Sequence, residues 1–140
     1  MLKLLPPTWR AVSALALALA SGTVHAETWA VTDSAHPLTA VPAGVRVIQL
    51  DDQQRIEAQL SQKLPPNPHQ AALAARQLMS SPAGAALMQQ LAAAQQGNAD
   101  AWSVGVSKVP AVVVDRRYVV YGQPDVTAAL RAISQARGQR

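Results

Sequence analysis

Cysteine is absent from this 140-residue sequence, and so is phenylalanine. Without cysteine the chain cannot form disulfides, bind a metal through thiolates or use a thiol nucleophile. Aromatic residues make up 4% and charged residues 14% of the chain, whereas hydrophobic residues make up 49%. This hydrophobic content predicts a folded domain, and the length allows one core rather than two. Because large apolar side chains are few, we expect a small core of Leu, Val and Ala.

The first 26 residues have the composition of a secretory signal peptide. Lys3 and Arg10 form a basic start, residues 11–20 are rich in Ala and Leu, and Val24-His25-Ala26 places small residues before a cleavage site. The apolar stretch is about half of the roughly 20 residues that a membrane span needs. We therefore predict cleavage after Ala26 and a single mature domain, residues 27–140, in the periplasm of a Gram-negative bacterium. A retained membrane anchor is the alternative.

The charge balance does not favour a nucleic-acid-binding protein. The formal charge is +4, from 12 basic and 8 acidic residues, and loss of Lys3 and Arg10 with the signal peptide lowers it to +2. The remaining basic residues are dispersed, apart from a small group formed by Lys108, Arg116 and Arg117. A dispersed pattern is typical of solvated surface charge, so we expect no direct contact with nucleic acid.

The pattern of apolar residues predicts an α/β domain. Thr28–Thr32 and residues 45–50 have the composition of short strands. The densest apolar run, residues 109–114, is continuous rather than alternating, which is typical of a strand buried on both faces. Tyr118–Tyr121 predicts its hairpin partner, joined through residues 115–117. We therefore expect a mixed sheet with helices on both faces.

Capping residues and prolines predict four helices. The first is capped by Asp51 or Asp52 and ends before Pro65, and the second follows Asn67 and Pro68. Ser81-Pro82 repeats the arrangement of Asn67-Pro68 before the third helix, which covers residues 83–96 and ends at Gly97-Asn98. The last helix begins after Asp125.

The end of the chain resembles the second half of a thioredoxin fold. The resemblance rests on Val109-Pro110, the apolar strand, the hairpin, Gly122 and the last helix, and it implies a thioredoxin-like three-layer sandwich. In that fold the proline before the central strand is usually cis. The loop Thr32-Asp33-Ser34-Ala35-His36-Pro37 then stands where thioredoxins carry their redox motif, and it should face Pro110. A hydroxyl cannot replace a thiolate in disulfide exchange, so thioredoxin activity does not carry over.

Five blocks of sequence carry a second resemblance: residues 32–37 (TDSAHP), 50–51 (LD), 101–106 (AWSVGV), 108–115 (KVPAVVVD) and 118–122 (YVVYG). Together they are similar to small exported proteins encoded in bacterial integrating conjugative elements, relatives of the periplasmic proteins of conjugation. The resemblance implies a role in assembling the type IV secretion apparatus and its mating pilus, with other periplasmic or outer-membrane proteins as partners. It implies no catalytic residue and no cofactor. Arg116-Arg117 stand where that family commonly has a glycine in the hairpin.

The candidate partner-binding residues are Trp102, Val109, Pro110, Tyr118 and Tyr121. Trp and Tyr are enriched at the energetic centres of protein interfaces, and an adjacent strand edge can pair with an extended partner. The alternative is that these aromatic side chains have only a structural role, in the core or on a sheet face.

The alternative function is a periplasmic enzyme that uses Ser34 and His36, with Asp33, in hydrolase-like chemistry. Neighbours in one loop rarely have the geometry of a catalytic triad, so composition alone gives little support to this hypothesis. His36 and His69 are the histidines of the predicted mature chain, and their separation of 33 positions does not predict a metal site.

Overall fold

The computed structural model describes residues 26–139, so the predicted signal peptide, apart from Ala26, lies outside the described residues. The described chain has the strands β1 (Thr28–Thr32), β2 (Arg46–Gln49), β3 (Ala111–Val114) and β4 (Tyr118–Tyr121), and the helices α1 (Asp52–Lys63), α2 (Pro68–Met79), α3 (Pro82–Ser103) and α4 (Val126–Gly138). None of these helices is long and apolar enough to cross a membrane.

The four strands form one mixed sheet in the order β2-β1-β3-β4. β1 pairs with β2 in parallel and with β3 antiparallel, and β3 pairs with β4 antiparallel. β2 and β4 are therefore the edge strands of the sheet that the described residues form. The predicted mixed α/β architecture is confirmed. β1 and β4 have the predicted bounds, β2 is one residue shorter at each end, and β3 begins two residues after the start of the predicted apolar run.

Each face of the sheet has its own apolar cluster. Trp29 and Val31 lie on one face with Ala101 of α3, whereas Ala30 lies on the other face with Val126 of α4. Successive side chains of a strand point to opposite faces, so this alternation places α3 and α4 on opposite sides of the sheet. All four residues of β3 are buried, as the continuous apolar run predicts.

The prediction that the peptide bond before Pro110 is cis is confirmed. Pro110 is buried directly before β3, and its carbonyl accepts a hydrogen bond from the Gly122 N–H at 2.9 Å. The turn of the hairpin has Asp115 and Arg116 in the left-handed region, with φ of 53° and 54°. Arg116 therefore adopts a conformation that glycine adopts more readily, at the turn where the resembled family commonly has glycine.

The helix starts predicted at Asn67, Ser81 and Asp125 are confirmed, and each of these side chains caps its helix. The Asn67 side chain accepts hydrogen bonds from the backbone N–H groups of His69 and Gln70. Ser81 accepts from the Gly84 N–H, and Asp125 accepts from the Ala128 N–H at 2.8 Å. These bonds satisfy N–H groups that have no partner within the first helical turn.

The prediction that Gly97-Asn98 ends the third helix is wrong. α3 continues to Ser103, and Gly97 is buried within it. A Cβ built on Gly97 would lie 3.0 Å from Cγ2 of Ile48, so the glycine allows α3 to approach β2 closely. Tertiary packing, rather than a break in the helix, explains this glycine.

Candidate protein-binding surface

Trp102 is the most exposed large apolar residue of the described chain, with 84% of its surface accessible. Its position follows from the way α3 ends. The Gly105 N–H donates to the Trp102 carbonyl at 3.0 Å, and the Val106 N–H donates to the Ala101 carbonyl at 3.1 Å. This pair of bonds, with Gly105 at φ 73°, is the Schellman motif. It turns the chain so that Ala101 and Val106 pack into the core while Trp102 remains outside.

Tyr121 lies next to this helix end. Its hydroxyl donates to the Gly105 carbonyl at 3.3 Å, and 42% of its surface is accessible. The Gly122 N–H is directed at β3, where it donates to Pro110. Peptide groups of alternate residues in a strand point in opposite directions, so those of Val119 and Tyr121 face the free edge of β4. We call Trp102, Gly105, Tyr121 and this free edge the Trp102–Tyr121 surface.

The other predicted partner-binding residues differ in accessibility and in position. Val109 is half-buried against the cluster under α3, and Pro110 is buried. Tyr118 packs on the opposite face of the sheet, against the cluster under α4. The Arg137 guanidinium lies 5.0 Å from the centre of the Tyr118 ring. The structure therefore places Tyr121 against Gly105, three residues after Trp102, and Tyr118 on the other face of the sheet.

The contacts of two arginines, Arg46 and Arg116, are not predicted from the sequence. Arg116, at the tip of the hairpin, donates to the Ser103 hydroxyl at 3.1 Å and stacks 5.0 Å from the centre of the Trp29 ring. Arg46 stacks on the same ring at 5.6 Å and forms an ion pair with Asp100 at 2.6 Å. The only signal in the sequence was the local grouping of Arg116 with other basic residues.

The loop at the redox-motif position, Thr32 to Pro37, is held by its own side chains. The Thr32 hydroxyl donates to the His36 carbonyl, and the Ala35 N–H donates to Asp33 Oδ1 at 3.1 Å. The same Asp33 oxygen lies 2.6 Å from Nδ1 of His36. Asp33 therefore orients both the loop and the imidazole.

Ser34 has a different partner from His36. Its hydroxyl donates to Asp51 Oδ2, and its backbone N–H lies 3.2 Å from the same oxygen. The hydrogen bond from the Ser34 hydroxyl lowers the pKa of the Asp51 carboxyl, since it stabilises the charged form. The prediction that the side chain of Asp51 or Asp52 caps α1 is wrong: Asp51 occupies the N-cap position without a side-chain cap bond, and its carboxylate accepts from Ser34 instead.

The loop and Pro110 face each other, as the thioredoxin resemblance implies. An open pocket of about 410 Å³ lies between them, lined by Ala35, His36, Pro37, Pro110, Gly122 and Pro124. Most of these residues are apolar, and the histidine is the ionisable one. Within residues 26–139 there is no group of three or more His, Asp or Glu side chains that could hold a metal ion.

Comparisons with known proteins identify a family but no characterised relative. Neither the search of the curated proteins nor the search of the solved structures gives a match. A family model described as "Protein of unknown function (DUF1525)" matches residues 25–139. This match covers β1 through α4, and the chain therefore belongs to the DUF1525 family.

Proposed function

We propose that this protein is a non-enzymatic periplasmic component of an integrating conjugative element. In this proposal it supports assembly of the conjugative type IV secretion apparatus by binding a protein partner at the Trp102–Tyr121 surface. The observation that carries the binding role is the 84% exposure of Trp102, at a helix end whose Gly105 carbonyl accepts a hydrogen bond from Tyr121 of the edge strand β4. Exposure of so large an apolar side chain to water is unfavourable, so burial of the ring by a partner would contribute favourably to binding.

The geometry of the Trp102–Tyr121 surface suits an extended partner segment. Such a segment can pair with the outward-facing peptide groups of Val119 and Tyr121 and extend the sheet by one strand. Its side chains on the α3 face then lie beside the ring of Tyr121, and the exposed Trp102, three residues before Gly105, offers a further apolar contact. Main-chain pairing supplies register, and the aromatic rings supply apolar contact area.

The conjugative process is proposed from the sequence resemblance. Of the resembling blocks, residues 101–106 contain Trp102 and residues 118–122 contain Tyr121, so two of them contribute to the proposed binding surface. We also propose that the fold is thioredoxin-like. The strand order β2-β1-β3-β4, the cis bond before Pro110 and the facing loop at the redox-motif position support this assignment.

Periplasmic export is part of the proposal, and it has its own test. Cleavage after Ala26 leaves Glu27 as the first residue of the mature protein. The intact mass of protein recovered from a periplasmic extract should therefore equal that of residues 27–140. Recovery of the full-length chain in the membrane fraction would contradict export by a cleaved signal peptide.

The alternative function is a periplasmic enzyme acting through Ser34 and His36. The Asp33–His36 pair at 2.6 Å resembles the orienting half of a catalytic triad. The Ser34 hydroxyl, however, donates to Asp51 rather than to the imidazole. A nucleophilic serine needs a base that accepts its proton, and the proton is here directed at a carboxylate whose lowered pKa makes it a weak base. This observation favours the binding hypothesis over the enzymatic one.

The deciding experiment measures transfer frequency of the element in a deletion strain complemented with variants. Deletion should lower transfer, and Trp102→Ala and Tyr121→Ala should each reproduce much of that loss. An interface residue of this kind contributes about 2 kcal/mol or more, roughly a 30-fold change in affinity. Leu73→Ala and Met88→Ala are matched controls, because these side chains are exposed and apolar but lie on α2 and α3 away from β4.

The enzymatic alternative is tested in the same strains. Ser34→Ala combined with His36→Ala should leave transfer nearly intact if the protein acts by binding. Loss of transfer in this double variant, with the protein present and folded, would favour the enzyme. Normal transfer in the deletion strain would refute the proposed role in conjugation altogether.

A further inference from the structure

A second groove lies at the opposite edge of the sheet, between β2, α1 and α3. Its volume is about 450 Å³, within the range of about 300–1,000 Å³ that is typical of ligand pockets. Each helix contributes one stripe to its wall, and the stripes include Ile56 and Gln59 of α1 and Ala93 and Ala94 of α3. The third wall is the whole of β2.

The free edge of β2 faces outward at this groove. The Leu50 N–H, directly after β2, donates to the Thr32 carbonyl of β1 at 2.9 Å. Because peptide groups alternate in direction along a strand, those of Val47 and Gln49 face away from β1. Unpaired N–H and C=O groups of an edge strand are a template for another strand. Val47 is also 44% exposed, so residues 26–139 leave this part of β2 accessible.

The charges around the groove are already compensated within the chain. Arg55 pairs with Asp52, and Arg46 pairs with Asp100. A charged ligand would have to compete with these ion pairs. An uncharged segment leaves them intact and finds main-chain partners on β2, apolar contacts at Ile56 and Ala94, and amides such as Gln59.

From these observations we propose that the groove binds an extended, uncharged peptide segment of a partner protein, which adds to β2 as a fifth strand. β2 has four residues, and at about 3.3 Å per residue it offers an edge about 13 Å long. This length fits about four residues of an extended chain. The site is separate from the Trp102–Tyr121 surface, because β2 and β4 are at opposite edges of the sheet.

The test begins with selection of eight-residue peptides from a random phage-displayed library on the chain 27–140. Affinities of the enriched peptides, made synthetically, are then measured for the parent and for two blocking variants. Ala93→Arg places a long side chain in the groove, and Val47→Pro removes an outward N–H without removing a bond to β1. Each should weaken binding at least tenfold.

Matched controls separate this site from the other edge and from general damage. Ala92→Arg places the same side chain one residue away on α3, outside the groove lining, and Val119→Pro makes the same change on β4. Both should bind the peptide as the parent does. Thermal unfolding of every variant shows whether it is folded.

Methylated peptides test strand addition itself. Only alternate residues of an added strand donate to β2, so N-methylation of one alternate set should abolish binding and methylation of the other set should not. Three results would overturn the proposal: no enrichment over the starting library, binding that Ala93→Arg leaves unchanged, or binding that is blocked by Ala93→Arg but insensitive to Val47→Pro and to both methylation patterns. The last result would indicate a side-chain or small-molecule pocket instead. None of these outcomes depends on transfer of the element.

Discussion

Gly97→Ala tests the close packing of α3 on β2. The added methyl would lie 3.0 Å from Cγ2 of Ile48 and 3.8 Å from its Cγ1. Alanine favours a helix over glycine by about 0.8–1.0 kcal/mol, whereas overpacking a core typically costs about 1–3 kcal/mol. Ile48 is 3% exposed and β-branched, so it cannot easily rotate away from the new methyl. We therefore expect overpacking to prevail and the free energy of unfolding to fall by about 1 kcal/mol.

The assay is urea denaturation of the chain 27–140, extended to a double-mutant cycle with Ile48→Ala. Ile48→Ala removes both contacting carbon atoms and should by itself cost about 2–5 kcal/mol. In that background Gly97→Ala has lost its steric partner and should stabilise the protein, by about 0.8–1.0 kcal/mol. The two effects of Gly97→Ala should thus differ by about 2 kcal/mol, within the usual range for contacting residues. Equal effects in both backgrounds would refute the packing explanation of this glycine.

Three further predictions follow from the same structure. Gly84→Ala should destabilise the protein more than Gly97→Ala, because its Cβ would lie 1.8 Å from the backbone oxygen of Leu78, which cannot rotate away, and thermal unfolding measures the difference. The pKa of Asp100 is lowered from 3.8, first by the hydrogen bond from Arg46 and then by that from Gln96. The charged Asp100 carboxylate therefore stabilises the fold fully above pH 3.8, and this stabilisation is lost as the pH falls through the lower pKa of the folded state. Asp100→Asn should therefore flatten the acid side of a plot of unfolding free energy against pH, and an unchanged acid side would contradict the ion pair. Ser34→Ala should raise the pKa of the Asp51 carboxyl towards 3.8 in an NMR titration, and no change would show that the Ser34 hydroxyl does not donate to Asp51 in solution.

Sequence reasoning succeeded where the signal is local. The continuous β-branched run identified β3 as doubly covered, and Asn67 and Ser81 followed by proline located two helix starts. These features depend on backbone geometry and on neighbours within a few residues. It failed where a distant contact decides the outcome: Gly97 faces Ile48 of another element, and Asp51 bonds to Ser34, 17 positions away. Nothing in the local sequence marks either contact.

The candidate surface was only partly predictable, although one feature of it follows from the sequence alone. Tyr118 and Tyr121 are three positions apart in one strand, and side chains alternate with a period of two, so they must point to opposite faces. The prediction that Tyr118 and Tyr121 belong to one binding surface did not take this alternation into account. Tyr121 contacts instead Gly105, just after the end of α3, because the observed helix extends past the predicted stop at Gly97.

Trp29 and Trp102 show why a tryptophan cannot be assigned to core or surface by residue type. Trp29 is 1% exposed because its strand is central and because two guanidinium groups cover its ring. Arg116, one of the two, also bonds to Ser103, the residue after Trp102. Arg116 thus covers the ring of Trp29 and links the hairpin to the end of α3 that carries Trp102. A surface that is already ordered loses less conformational entropy on association than a mobile one. The contacts of Arg116 should therefore increase the affinity of the Trp102–Tyr121 surface, although Arg116 itself does not contact the partner.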